Sequence, residues 1–242
     1  MGMKLIKQVL PSVITLLNLL CGYLAICNVV EGTLVRAAWW IIIAAIFDAL
    51  DGKVARAAGT SSGFGIELDS LSDLVSFGVA PATLIYYFSF TAAGDFGYVF
   101  PFMYLAAGAI RLARFNLKAT TGKKKYFTGM PIPSAAGILS SYVLFSENVW
   151  SGIASFDIAM GLTILTALAM VSQFHYALMP KISFGTRPDK LRSIWFISHL
   201  ALVARFPDEM FFPTGILYLI SAPFMSITTP AVNYVMSKIE ER

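Results

Sequence analysis

The chain has 242 residues, 57% of them hydrophobic and only 13% charged, with a mean hydropathy of +0.71. That balance excludes an ordinary soluble domain and points to a polytopic membrane protein. The formal charge is +4, and no nucleic-acid partner is expected.

The basic start at Lys4 and Lys7 runs into an apolar stretch from about Ser12 to Val30. It is too long for the core of a signal peptide and lacks a small-residue cleavage site, so a retained first span is expected. Cys21 and Cys27 inside it read as packing residues. At roughly 20 residues per span, hydrophobic segments fall near residues 12–30, 34–57, 69–90, 96–115, 134–147, 155–173, 192–206 and 211–235, about eight in all. Without a period-two pattern, the expected architecture is an all-α transmembrane bundle in a single domain over residues 1–242. With a cytoplasmic N-terminus, all 18 Lys and Arg residues except Arg36 and Arg205 lie at cytoplasmic ends, a positive-inside bias that puts both termini in the cytoplasm.

The second segment carries Asp48, Asp51, Gly52, Ala55 and Arg56 near its cytoplasmic end. At about 100° per residue these share an arc of roughly 140°, an acidic face with small residues between the charges. After the turn Gly59–Gly65, the third segment starts with Asp69, Ser72, Asp73 and Ser76, one polar stripe at i, i+3, i+4 and i+7. Two antiparallel helices joined by a short loop are expected to lie side by side, converging the two acidic faces on one cytoplasmic-side cavity. The third helix is expected to present its N-terminus there, where free N–H groups favour anions.

An unpaired aspartate at mid-membrane costs about 2.5–3.5 kcal/mol, so four such groups call for neutralisation. Hard oxygen ligands without His or Cys suit Mg²⁺ or Mn²⁺ and a phosphate-bearing substrate. A proton or cation pathway of a transporter, and an Asp–Arg network with a purely structural role, are alternatives on the residues alone.

The order Asp48-x2-Asp51-Gly52-x2-Ala55-Arg56-x8-Gly65-x3-Asp69-x3-Asp73 resembles the signature of the CDP-alcohol phosphatidyltransferase family at all of its positions. The resemblance implies one or two divalent cations on Asp48, Asp51, Asp69 and Asp73, the CDP group on Gly52, Ala55, Arg56 and Gly65, and Asp73 as the base. The run from Gly65 to Ala82, together with Arg111–Asn116 and Tyr126–Pro133, is similar to the serine-accepting, integral-membrane phosphatidylserine synthase branch. It covers roughly the first 135 residues and implies a CDP-lipid and L-serine as substrates, CMP as a product, and a homodimer. A sister transferase using glycerol 3-phosphate or an inositol compound is the alternative acceptor class.

Other segments add candidates. Pro11, Thr15 and Asn18 recur at helical spacing, and the resemblance places their helix beside the nucleotide. Thr15 and Asn18 are therefore expected to line the CDP site or to make interhelical hydrogen bonds. Arg111 and Arg114, with Asn116 just beyond, suit a serine carboxylate or the lipid pyrophosphate, or a plain cytoplasmic anchor. Lys123, Lys124 and Lys125 fit anionic headgroups of membrane lipids. Gly129, Pro131 and Pro133 shape a lid or a simple turn. His175 and His199 read as non-catalytic, and Trp39, Trp40, Tyr86, Tyr87, Trp150 and Trp195 as interface aromatics.

Overall fold

The computed structural model describes residues 2–58, 63–118, 126–153, 155–177, 198 and 201–240. It is almost entirely helical. Helix α1 (Gly2–Val30) ends where Gly32 takes a left-handed φ of 76° and its N–H returns to the Val29 carbonyl. Glycine adopts that conformation without a Cβ penalty. The chain then turns directly into α2 (Leu34–Ala58), which packs along α1.

A long helical path follows. It starts as α3 (Gly63–Asp73), widens into a π segment (Leu74–Val79), tightens into α4 (Ala80–Ile85) and widens again over Tyr86–Phe90. Pro81 explains the first widening. It has no N–H, and its ring collides with the carbonyl four residues back, that of Phe77. The Tyr104 hydroxyl, fully buried, donates to that carbonyl at 2.8 Å, so the break leaves no orphaned acceptor there. A 3₁₀ stretch (Thr91–Tyr98), bent at Gly94, leads into α5 (Val99–Lys118).

Beyond α5, β1 (Tyr126–Thr128) pairs antiparallel with β2 (His175–Ala177), with Phe127 opposite Tyr176. This short ladder lies outside the all-helix expectation. Between the strands run α6 (Ile132–Val149) and α7 (Phe156–Val171), and α8 (Pro207–Glu240) follows, packed against α6. Six of the expected apolar segments thus coincide with helical stretches, and the eighth with α8. The seventh falls mostly outside the described residues, as do Gly59–Ser62 of the first turn, Lys123–Lys125, Trp195 and His199.

Alanines recur in the interior of the bundle, and large apolar side chains cover much of its outside. Ala25, Ala37, Ala38, Ala44, Ala80, Ala135 and Ala136 are fully buried, whereas Leu16, Leu20, Phe102, Leu165, Leu168, Leu217 and Phe224 are exposed. Small interior residues let helix backbones approach closely, and an apolar rim of this extent is foreign to a water-facing monomer. Among the described residues, 10–30 and 63–117 are helical stretches long and apolar enough to cross a membrane, with Phe156–Val171 a shorter apolar helix.

Candidate active site

The acidic residues of α2 and α3 do converge. One carboxylate oxygen from each of Asp48, Asp51 and Asp69 lies within 4.8 Å of the others. Asp73 stands outside this triad but within electrostatic reach of all three. Asp51 and Asp73 are buried, Asp48 and Asp69 half-buried. Three oxygens at that separation on two helices match the reach of one hard cation, and an Oδ1 of Asp69 is buried without a hydrogen-bond donor. Anionic acceptors left open in this way suit a divalent cation and oxygen chemistry.

How the helices bring them together differs from the sequence expectation in two respects. First, α2 meets the third segment at the π stretch and α4, beyond the aspartates, while at α3 itself both helices lean on α1, which packs along each of them. Second, α3 begins at Gly63, six residues before Asp69, which at 1.5 Å per residue is about 9 Å. The described part of α3 thus extends more than a turn ahead of Asp69.

From α1, the Thr15 hydroxyl lies 2.9 Å from Asp51 Oδ2 and 3.0 Å from the Pro11 carbonyl, and the Asn18 amide Nδ2 donates to Asp73 Oδ1 at 3.1 Å. Thr15 is 5% and Asn18 0% exposed. The third helix is keyed to the same place, since the Ser76 hydroxyl donates to the Asn18 carbonyl at 2.9 Å. Gly22, one turn further along α1, makes this possible: a Cβ there would come within 2.7 Å of the Ser76 Cα. Ser72, also in the polar stripe, instead donates to the Leu68 carbonyl of its own helix at 2.9 Å.

Gly52 and Gly65 are half-buried beside the acidic residues in sequence, and Lys53 is exposed. The side chains of Ala55 and Arg56 lie outside the described residues, although the backbone of both continues α2.

On α5 the three candidates separate. Arg111 is buried, with its charge facing Asp73, Asp48 and Tyr218, and its Nε donates to the Met130 carbonyl. Arg114 is exposed, and its Nη1 donates to the Val171 carbonyl at 3.1 Å. Asn116 donates through Nδ2 to the Ser70 hydroxyl at 2.9 Å, tying α5 to the acidic end of α3. Only Arg111 is thus placed against the aspartates, while Arg114 braces the end of α7.

The loop at Met130 is held from three directions. The Gly129 N–H donates to the Phe174 carbonyl and the Met130 N–H to the Ala169 carbonyl, both at 2.9 Å. Gly129 has φ 77°, and a Cβ there would run into the Met170 carbonyl. Such a segment is a fixed turn. His175 sits exposed in β2, far from the acidic triad in sequence.

Gly22, Tyr104 and Ser70 were not singled out by sequence. Gly22 falls at i+4 from Asn18, which is the signal that could have found it; Tyr104 and Ser70 carry no comparable local signal.

Comparison with known proteins gives the arrangement a context. Residues 8–173 match the family model of CDP-alcohol phosphatidyltransferase. The chain is 43% identical over 173 residues to the archaetidylserine synthase of Methanothermobacter thermautotrophicus, covering 69% of each chain. It is 39% identical over 171 residues to a CDP-diacylglycerol–serine O-phosphatidyltransferase of Methanocaldococcus jannaschii, 71% of this chain and 75% of that one. A protein of the same name from Helicobacter pylori (strain J99) is 34% identical over 178 residues, 73% of this chain and 75% of that one.

Proposed function

Because the chain belongs to the CDP-alcohol phosphatidyltransferase family, we propose that it transfers the phosphatidyl-type group of a CDP-lipid to the hydroxyl of L-serine, releasing CMP. The observation that carries the reaction type is the convergence of Asp48, Asp51 and Asp69 from two helices, with Asp73 beside them. The serine acceptor rests on the relatives, whose names specify serine with either a diacylglycerol or an archaetidyl lipid.

The donor set suits Mg²⁺ or Mn²⁺, one or two ions, on Asp48, Asp51 and Asp69 with Asp73 adjoining. A bound divalent ion supplies charge neutralisation at the pyrophosphate and at the departing CMP oxygen. Gly52, Ala55, Arg56 and Gly65 hold the CDP group, with Thr15 and Asn18 lining the same cavity from α1. Asp73 accepts the proton of the serine hydroxyl as that oxygen attacks the β-phosphorus. The new O–P bond forms as the bond to the CMP oxygen breaks, and the proton resides on Asp73. Arg111, buried beside Asp73 and Asp48, keeps a positive charge where phosphate and carboxylate groups gather. Arg114 and Asn116 shape the edge of that region through their bonds to Val171 and Ser70.

The apolar rim and the distribution of basic residues support a multi-pass protein of about eight spans in the cell membrane, both termini cytoplasmic, acting as a homodimer. The lipid chains stay in the bilayer while the CDP head reaches the cytoplasmic ends of α2 and α3.

The test is purified protein with a CDP-lipid, Mn²⁺ or Mg²⁺, and a panel of alcohols. Metal-dependent CMP release with serine alone is the expected result. Release only with glycerol 3-phosphate or an inositol compound reassigns the acceptor, and no release from any mixture removes the transferase reading.

A further inference from the structure

Asp51 and Asp73 stand on different helices whose backbones do not pack closely together, so their carboxylates need a common reference. That reference is α1. Thr15 and Asn18 sit three residues apart on it, on one face, and each meets one of the two carboxylates: Thr15 at 2.9 Å from Asp51 on α2, Asn18 at 3.1 Å from Asp73 on α3. We propose that Thr15 and Asn18 are positioning residues, fixing the rotamers of Asp51 and Asp73 and so setting the separation of the acidic groups of α2 and α3. The inference rests on the divalent-ion and transferase reading given above and goes beyond it by giving these two cavity-lining side chains a role on the aspartates.

Two further observations support it. The position of Asn18 on α1 is itself fixed, because its backbone carbonyl accepts from Ser76, three residues past Asp73 on the same face of that helix. Its amide orientation is also determined: turned the other way, Asn18 would set its oxygen against the carboxylate of Asp73, which has no proton to offer when ionised. The remaining Oδ1 of Asn18 is buried without a donor, a cost of about 1–3 kcal/mol that an amide serving only helix packing has no reason to bear. Side chains that orient a ligating group typically change metal affinity or activity by about 10–100-fold when removed.

The experiment uses the full chain in detergent: wild type, Thr15→Val, Thr15→Ser and Asn18→Leu. Mn²⁺ is titrated without substrate and free ion is followed by its electron paramagnetic resonance signal. Val matches Thr in shape, so a purely packing role predicts no change. Positioning predicts that Thr15→Val weakens Mn²⁺ binding about 10-fold or more, with an unfolding temperature like that of wild type, and that Thr15→Ser restores it. For Asn18→Leu, positioning predicts a fall in kcat of about 10-fold or more at a CDP-lipid KM near that of wild type. Wild-type Mn²⁺ affinity in Thr15→Val, or a raised KM at unchanged kcat in Asn18→Leu, overturns the inference. A wild-type protein that binds no Mn²⁺ overturns the metal reading itself, and the inference with it.

Discussion

Gly22→Ala is a one-carbon perturbation on a helix that carries no aspartate, and its effect can be worked from distances. Two consequences compete. Alanine is the better helix former by about 1 kcal/mol, so propensity alone predicts a slightly steadier α1. Against that, the new Cβ would lie 2.7 Å from the Ser76 Cα, where ordinary contact is 3.4–4 Å. The obstacle is backbone, which cannot swing aside as a long side chain would. Relief demands that α1 and the π segment separate by about 0.7 Å or more. The nearest interactions crossing that seam are Ser76 to the Asn18 carbonyl at 2.9 Å and Asn18 to Asp73 at 3.1 Å. Lengthened by the same amount, both pass the range in which a hydrogen bond survives. Misplacing a reacting group by about 1 Å costs on the order of 100-fold in rate. Serine-dependent CMP release should therefore fall by about 10–100-fold in a variant that still purifies as a folded protein. The assay is a rate measurement at saturating CDP-lipid, serine and Mn²⁺ or Mg²⁺, beside thermal unfolding in detergent. A rate within about twofold of wild type would refute the reasoning, since the helices would then have accommodated the methyl group without disturbing Asp73.

Asp73→Asn keeps the shape of the side chain and leaves an oxygen for the Asn18 amide, but it removes the charge and the proton acceptor. Turnover should be abolished while CDP-lipid binding, measured by equilibrium dialysis of radiolabelled CDP-lipid in detergent, stays near wild type; near-normal turnover removes the base assignment. Tyr104→Phe deletes the donor that satisfies the Phe77 carbonyl freed by Pro81, leaving a buried acceptor unmet at a cost of about 1–3 kcal/mol. Its unfolding temperature in detergent should drop measurably, and an unchanged value would mean that the wide turn satisfies itself.

Much of the fold was legible because hydrocarbon imposes one rule on the backbone: satisfy every polar group locally. Helix positions follow from apolar length alone, which is why the segments near 34–57 and 155–173 coincide with α2 and α7. The helical state of Gly63 and Gly65 was not legible, since both read as turn residues and glycine carries no preference that would place them inside a helix. The strand pair was hidden for a different reason. Three residues on each side leave no periodic pattern, and the pairing joins Thr128 to His175 across two intervening helices. At the site, the aspartates announced themselves by cost: charge inside an apolar run demands a partner. Their mutual arrangement did not. Helical spacing places Asp48 and Asp51 on one face, but nothing in it says that α2 and α3 would both lean on α1 at the level of the aspartates, because that depends on Gly22 and on a run of small residues at another interface.

The first helix thus changes standing. Read as sequence, Thr15 and Asn18 are polar residues that need partners in an apolar span, with nucleotide and neighbouring helix as equal candidates. In the fold, both partners are aspartates, and they are reached from a helix that contributes no carboxylate of its own. A cage assembled from two helices alone would have to hold four like charges together through backbone contacts that α2 and α3 do not make. Placing neutral donors on a third helix resolves this. A hydroxyl and an amide lower the cost of burying Asp51 and Asp73 without adding positive charge that would compete for a cation. Arg111, the buried base among the described residues, is held off by its bond to the Met130 carbonyl, so that its charge is shared between the aspartates and the turn at residues 129–131. The site therefore keeps a net negative character toward a metal ion while presenting one positive group to an anionic substrate, and that division requires α1 and α5 as much as the helices that bear the aspartates.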